Sequence, residues 1–331
     1  MARRNNKRMK NIEPAEMTFT FGIIVPGLTS TDATADLSQI ASLLNRRFYR
    51  QGLNWAVAGF KVKSSQTGSI DISKLPNTWV MSNAWTKGFR TWEEMNKKAL
   101  DEADSVKGRF LDFKIYADDV HHSNGYGSNL VPIDADGNAA TLGEWIPSEI
   151  RVPNGSITVP FELIAVGDNY PGVGASGIDA VSLIQGYSNS RSLPAVVDPN
   201  SPAEATDAIG LTPENWMSAL SNEGTNQDSE VLTDVTAYDQ PPYPYENDGT
   251  AVTTMYPGGG TQLPALMPHD FQNFTGTTIS KITYLKGGNF PCGLVRLKCT
   301  NTSPEPDVYV VQIDMVPGSH RGYMAESMLE M

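Results

Sequence analysis

The sequence predicts an all-β chain: an antiparallel β-sandwich with inserted helices and long surface loops. Two observations carry this reading. Segments that alternate apolar and polar residues with period two, the mark of strands with one buried face, recur over the whole length. Gly and Pro number 29 and 22 without any repeat period, which suits many turns better than a helical bundle.

Taken in order, residues 1–16 read as a basic arm. Arg3, Arg4, Lys7, Arg8 and Lys10 fall within MARRNNKRMK, with no acid among them. Residues 17–331 read as one folded domain. Phe19, Phe21, Ile23 and Val25 fall on one side of TFTFGIIVP, and further strands are expected at 54–63 and 69–75. Residues 85–103 place Trp85, Phe89, Trp92, Met95, Ala99 and Ala103 at spacings of three or four, which predicts an amphipathic helix with a core-facing aromatic stripe. Leu111, Phe113 and Ile115 alternate with Asp112 and Lys114, and Ile157, Val159, Phe161 and Leu163 with Thr158 and Glu162. Both predict strands. A short helix is expected at 176–186. Another should start at Thr212, with Pro213 at its first position and Trp216, Ala219 and Leu220 on one face. The last strands are expected at 279–285, 293–299 and 309–315.

Residues 186–276 stand apart. They hold ten of the 22 prolines, twelve acids and a single Arg or Lys, Arg191. A stretch of that length with little strand pattern reads as acidic Pro/Gly-rich loop insertions facing outward; a separate small domain is the alternative, with few apolar residues to core it.

Charge is distributed unevenly along the chain. Residues 1–110 carry 17 Lys/Arg against 10 Asp/Glu, residues 111–280 carry 3 against 22, and residues 281–331 carry 5 against 5. A net charge of −12 therefore hides a positive end joined to an acidic middle. That split implies one surface facing a polyanion and another facing solvent. The arm has the composition of a flexible polycation that neutralises phosphates without reading sequence; a solubilising or import tail has the same composition. In NRRFYRQG, Arg46, Arg47 and Arg50 interleave with Phe48 and Tyr49. Arginines supply phosphate forks and aromatics stack on unpaired bases. The competing reading buries the aromatics and pairs the arginines with carboxylates.

Other candidate chemistry is sparse. Asp118, Asp119, His121 and His122 in YADDVHH are the right donor types for a divalent metal, but four adjacent residues do not easily converge on one ion. A hydrogen-bonded loop is the alternative there. IDADGNAATLGE, from Ile133 to Glu144, mimics a calcium loop from Asp134 onward, yet its glycine is misplaced and position 12 is Trp145, so it reads as a polar turn. Pro241 and Pro244 have the spacing of a polyproline docking motif. Cys292 and Cys299 give no disulfide framework. They fall seven apart in an expected strand, on opposite faces, with Cys299 as a buried structural residue and Cys292 incidental. No nucleophile elbow, zinc-protease or phosphate-loop motif occurs, so no catalytic residue is assigned and no enzyme is expected. No apolar run reaches the roughly 18–20 residues that span a bilayer, and the N-terminal region lacks the apolar stretch of a signal peptide.

The segments LNRRFYRQGLNWAVAGFKV (44–62), SKLPNTWVMSNAW (73–85) and RFLDFKIYADD (109–119) resemble capsid proteins of small circular, Rep-encoding single-stranded DNA viruses (the CRESS-DNA viruses). The resemblance covers roughly the first 120 residues and carries no catalytic signature. It implies a basic arm ahead of a single jelly-roll shell domain, self-assembly into an icosahedral virion, and packaging of a single-stranded DNA genome on an inner face. The arm would share that work with Arg46, Arg47 and Arg50, since MARRNNKRMK is short for such an arm. Further implied are a host cell-surface receptor, no membrane insertion, assembly in the host nucleus or cytoplasm, and no cofactor beyond a divalent cation at inter-subunit contacts.

A reading from another class is a β-sandwich carbohydrate-binding or attachment module. It would use the aromatic loops around Tyr238, Tyr243, Tyr245 and Tyr256. That reading leaves the basic arm without a task. A hydrolase using paired carboxylates or a metal has the least support.

Overall fold

The computed structural model describes residues 13–101, 112–143, 145–154, 157–191, 265–277 and 281–330. The chain divides into two compact units, Met1–Tyr187 with Leu263–Met331, and Ser188–Gln262. Apart from residues 188–191, the second unit lies outside the described residues. So do the arm residues and the helix expected at Thr212.

In chain order, the elements begin with β1 (Thr18–Val25), β2 (Ser30–Asp36), α1 (Leu37–Asn45), β3 (Leu53–Lys63), β4 (Gly68–Lys74) and α2 (Trp79–Ala99). There follow α3 (Asp119–Asn124), β5 (Glu149–Asn154), β6 (Ile157–Ile164), β7 (Ala180–Ser182) and α4 (Leu183–Arg191). The chain ends with β8 (Met267–Phe274), β9 (Ile282–Phe290), β10 (Leu294–Asn301), β11 (Asp307–Met315), β12 (Pro317–Gly318), β13 (Gly322–Tyr323) and β14 (Ala325–Ser327). The architecture is mostly β, in antiparallel sheets.

Two sheets dominate. In one, β1 pairs with β11 and β11 with β3, while β3 also pairs with β9 and, at its first residues, with β14. The other has the order β2-β10-β4-β8. Their apolar faces belong to a common core: Phe19, Phe21, Ile23, Val57, Phe60, Val62, Leu285, Val311 and Ile313 from the first, and Ala35, Ile70, Ile72, Phe274, Val295, Leu297 and Cys299 from the second. The period-two pattern is the cause. Along β1, Phe19, Phe21 and Val25 are sealed, whereas Ile24 is 70% exposed. A bulge at Ala58, opposite the step from Asp314 to Met315, re-aims the start of β3.

Among the described residues between β4 and β8, none joins either main sheet. There α2 and α4 join residues 113–117 and β6 in a second core, with the rings of Trp85, Phe89, Trp92 and Phe113 in mutual contact. The three-stranded sheet β5-β6-β7 lies in this region, with β6 and β7 parallel. Thr78 caps α2, so the helix begins six residues before the expected start at Trp85.

Four sequence expectations change. FLDFKIYADD forms no strand over residues 112–115, although Phe113 and Ile115 are buried as the alternation required. Its backbone is satisfied by side chains instead: Ile115 N–H donates to Gln51 Oε1 at 2.7 Å, Gln51 Nε2 donates to the Ile115 carbonyl at 3.0 Å, and Lys114 N–H donates to Ser148 Oγ at 3.0 Å. The helix expected at 176–186 is displaced, since β7 takes residues 180–182 and α4 starts at Leu183. β8 falls inside the stretch 186–276 that reads as loops; only Phe274 of its residues is buried, so no alternation marks it. Cys292 is not incidental: it sits in the turn before β10 at φ 56°, fully buried in the second core, while Cys299 lies in the first.

Candidate nucleic-acid interface

The segment after α1 is where the predicted cationic residues can be placed. α1 starts at the buried Asp36, whose carboxylate accepts from the backbone N–H of Ser38 and Gln39, and ends where Arg46 takes a left-handed conformation at φ 54°. That turn throws Arg46, Arg47, Phe48 and Arg50 outward, all exposed, and buries Tyr49. The structure divides NRRFYR between core and surface. Tyr49 is core. Phe48, 50% exposed, and the arginines are surface.

Tyr49 explains why the turn is fixed. Its ring lies 5.5 Å from that of Tyr323 and 6.0 Å from that of Trp55. Its hydroxyl donates to the Arg321 carbonyl at 3.0 Å, and Arg321 Nη1 donates back to the Phe48 carbonyl. Burial pushes the Tyr49 phenol up, opposed by Arg47 and Arg321, with a smaller upward push from Glu13. Those three charges are therefore neighbours. Arg321, an isolated arginine in a turn, carries no sequence signal that would have placed it here.

Residues 13–16 are tied to the same place. Glu13 Oε2 pairs with Arg47 Nη1 at 2.9 Å, and Glu16 N–H donates to Asn45 Oδ1 at 2.9 Å. The Tyr323 hydroxyl donates to the Glu16 carbonyl at 2.6 Å and accepts from Asn45 Nδ2 at 2.7 Å. Gly322, at φ 106°, lets the chain pass this close: a Cβ there would stand 2.5 Å from the Ala15 Cβ and 2.8 Å from the Glu13 carbonyl oxygen. Arg3, Arg4, Lys7, Arg8 and Lys10 lie outside the described residues, but the residue from which they extend sits against Arg47.

A second positive strip lies on the outward side of β3 and β9. Lys61 and Lys63 alternate with buried Phe60 and Val62, and Lys61 stands opposite Tyr284, which is 64% exposed. Asp314 pairs with Lys61 at 2.6 Å. Lys286 is exposed on the same strand as Tyr284.

The four metal candidates do not converge. Asp118 caps α3, accepting from His121 N–H at 2.9 Å, and pairs with Arg296; burial nonetheless holds its carboxyl above the usual range. His121 accepts from Ala117 N–H at Nδ1, 3.0 Å, and faces Asn129 Oδ1 at Nε2, 2.7 Å, which makes it a neutral Nε2–H tautomer. Burial lowers its pKa to about 4. His122 Nε2 stands 2.9 Å from Glu162 Oε2, off the hydrogen-bonding direction, with both side chains buried. Asp119 is exposed. Among the described residues no group of three or more His, Cys, Asp or Glu side chains is arranged to hold a metal ion. The loop at Asp134 is the polar turn expected: its carboxylate accepts from the N–H of Asp136 and Asn138 at 2.9 and 2.8 Å.

Among the described residues no helix is long and apolar enough to cross a membrane. Comparison with protein-family models, with curated proteins and with solved structures finds no match to this chain.

Proposed function

We propose that the chain is a capsid protein, related to those of the small circular single-stranded DNA viruses that its N-terminal third resembles. Copies of it assemble into a closed icosahedral shell, and a basic inner face holds a single-stranded DNA genome. The observation that supports the shell domain is the order of pairing in the two main sheets, and the arginine-rich turn favours a nucleic-acid cargo over the lectin-type uses of the same fold. β1 pairs with β11, β2 with β10, β3 with β9 and β4 with β8. Pairing from the outside in, with the pairs divided alternately between two sheets, is the pattern of a long hairpin rolled into a jelly roll, a fold that shell proteins use to bury strands in a rigid wall. The described elements between β4 and β8 are then insertions between the fourth and fifth strands of the roll; the acidic stretch 186–276, expected to face outward, lies mostly outside the described residues.

The cationic surface supports the second half of the reading. Glu13 pairs with Arg47 and Arg321 donates to the Phe48 carbonyl, so Arg47 and Arg321 meet at a turn that also carries Arg46 and Arg50, and the charge of the arm is proposed to act with theirs. Its role is neutralisation, repeated over many copies, and no chemical step is involved. A divalent cation at contacts between copies and a receptor on a host cell complete the proposed partners. The protein would be found in the virion, and in the host nucleus or cytoplasm while shells form.

Changing Arg3, Arg4, Lys7, Arg8 and Lys10 together to Ala tests the assignment. The expected result is particles with a reduced nucleic-acid content, read from the ratio of absorbance at 260 and 280 nm. Particles with an unchanged load would remove the arm from the account. The carbohydrate-binding alternative rests on Tyr238, Tyr243, Tyr245 and Tyr256, which lie outside the described residues.

A further inference from the structure

Phe48 and Tyr49 are adjacent in sequence and opposite in environment. Tyr49 is 1% exposed and Phe48 is 50% exposed, so one ring anchors the turn and the other is left in water. A single half-exposed apolar ring is ordinary on a protein surface; what distinguishes this one is its place on an otherwise cationic turn.

The backbone of Phe48 is also anchored. Its carbonyl accepts from Arg321 Nη1, while Tyr49 fastens the next residue to the Arg321 carbonyl at 3.0 Å and to the ring of Tyr323. Arg46, Arg47 and Arg50 are exposed on the same short turn, as is Arg321 beside it. Four exposed arginines on or beside the turn that carries this half-exposed ring offer phosphate partners close to an apolar face. A chain of alternating phosphates and unstacked bases matches that arrangement, whereas a duplex keeps its bases stacked on one another and offers the ring nothing.

The geometry points to Phe48 as a stacking platform for one unpaired base of a single-stranded nucleic acid, with Arg46, Arg47, Arg50 and Arg321 receiving the flanking phosphates. This deepens the proposed function and rests on its claim that the cargo is single-stranded. It selects Phe48 over the buried Tyr49, adds Arg321, and supplies a preference for single strands that an arm of plain charge does not. Glu13, paired with Arg47, and Asp112, on which the Arg50 charge acts, are the acids that compete for this cluster.

The test uses the full chain as wild type, Phe48→Ala and Phe48→Trp. Fluorescence anisotropy measures binding of a labelled oligodeoxythymidine and of a duplex of equal length, at several salt concentrations. Phe48→Ala should weaken single-strand binding roughly five- to a hundredfold, leave duplex binding unchanged and leave the salt slope unchanged. Phe48→Trp should keep the affinity, with the fluorescence of the new indole quenched on binding. Equal single-strand affinity in Phe48→Ala and wild type overturns the platform, as does an equal loss for both nucleic acids or a wild type that binds neither. Electron microscopy of the same preparations separates this from the shell: if the wild type forms no particles but Phe48→Ala still loses single-strand binding selectively, the platform stands and the shell reading falls. If Phe48→Ala loses particles yet keeps its oligonucleotide affinity, the ring serves a contact between copies and the platform is overturned.

Discussion

Glu13 and Arg47 pair at 2.9 Å, and through that contact the N-terminal arm is joined to the body of the protein at its arginine-rich turn. Both side chains are substantially exposed, 56% and 41% for Glu13 and Arg47, so the pair contributes only about 0–1 kcal/mol to stability. Its greater effect is electrostatic, because a carboxylate there offsets one of the charges a phosphate would use. Glu13→Gln should leave the melting temperature within about 2 °C of wild type. It should also tighten oligonucleotide binding by a few-fold at low salt, with the gain fading as salt rises. Unchanged affinity at low salt would separate Arg47 from the binding surface.

Asp36 is the polar keystone between the two cores. Its fully buried carboxylate accepts from Ser38 N–H and Oγ at 2.8 and 2.6 Å, from Gln51 Nε2 at 3.1 Å and from Trp145 Nε1 at 2.6 Å. Gln51 in turn satisfies the backbone of Ile115, so losing Asp36 strips donors on several segments at once. Asp36→Ala should destabilise the protein by roughly 3–5 kcal/mol, and Asp36→Asn, which keeps an acceptor, by less. Urea denaturation with Trp fluorescence would check the ranking. A loss below about 1 kcal/mol for the Ala variant would contradict the network.

His121 makes stability depend on acid. Its pKa in the folded protein is about 4, against 6.5 when unfolded, because burial disfavours the imidazolium. Below the unfolded value the unfolded chain takes up a proton that the native state refuses. Stability contributed by this residue is therefore full above about pH 6.5 and falls progressively to about pH 4, by on the order of 3 kcal/mol in total. Melting curves between pH 7.5 and 4.5 should show a shallower decline for His121→Asn than for wild type. Equal slopes would show that His121 titrates normally.

The two thiols should be silent. Burial raises the Cys299 pKa to about 12 and that of Cys292 further, and neither side chain reaches solvent. A thiol reagent at pH 8 should label neither cysteine in the native protein and both after denaturation. Rapid labelling of either in the native state would place it at the surface.

What the sequence conveyed and what it hid divide along physical lines. β1 and β11 were legible because each buries one face of a strand, and Phe19, Phe21, Val311 and Ile313 sit where the alternation put them. β2 was not, since STDATAD is polar by composition and owes its burial to the register against β10 and not to its own residues. Over residues 112–116 the alternation was real, but the partner of the expected strand is largely the side chain of Gln51, which no pattern announces. The start of α1 had an unused signal, an Asp and a Gln three apart at Asp36 and Gln39. At the candidate interface the arginines were legible as charge. Composition alone could not separate buried Tyr49 from exposed Phe48, and only the fold brings in Arg321 from the far end of the chain.

Copies of this chain are proposed to close into a shell around a nucleic acid. The most direct measurement is to express the full chain, treat it with nuclease, fractionate it by size and examine it by negative-stain electron microscopy together with its absorbance ratio at 260 and 280 nm. The expected result is uniform closed particles that protect nucleic acid from the nuclease. A monomer or dimer that persists across salt and pH, free of nucleic acid, would contradict it.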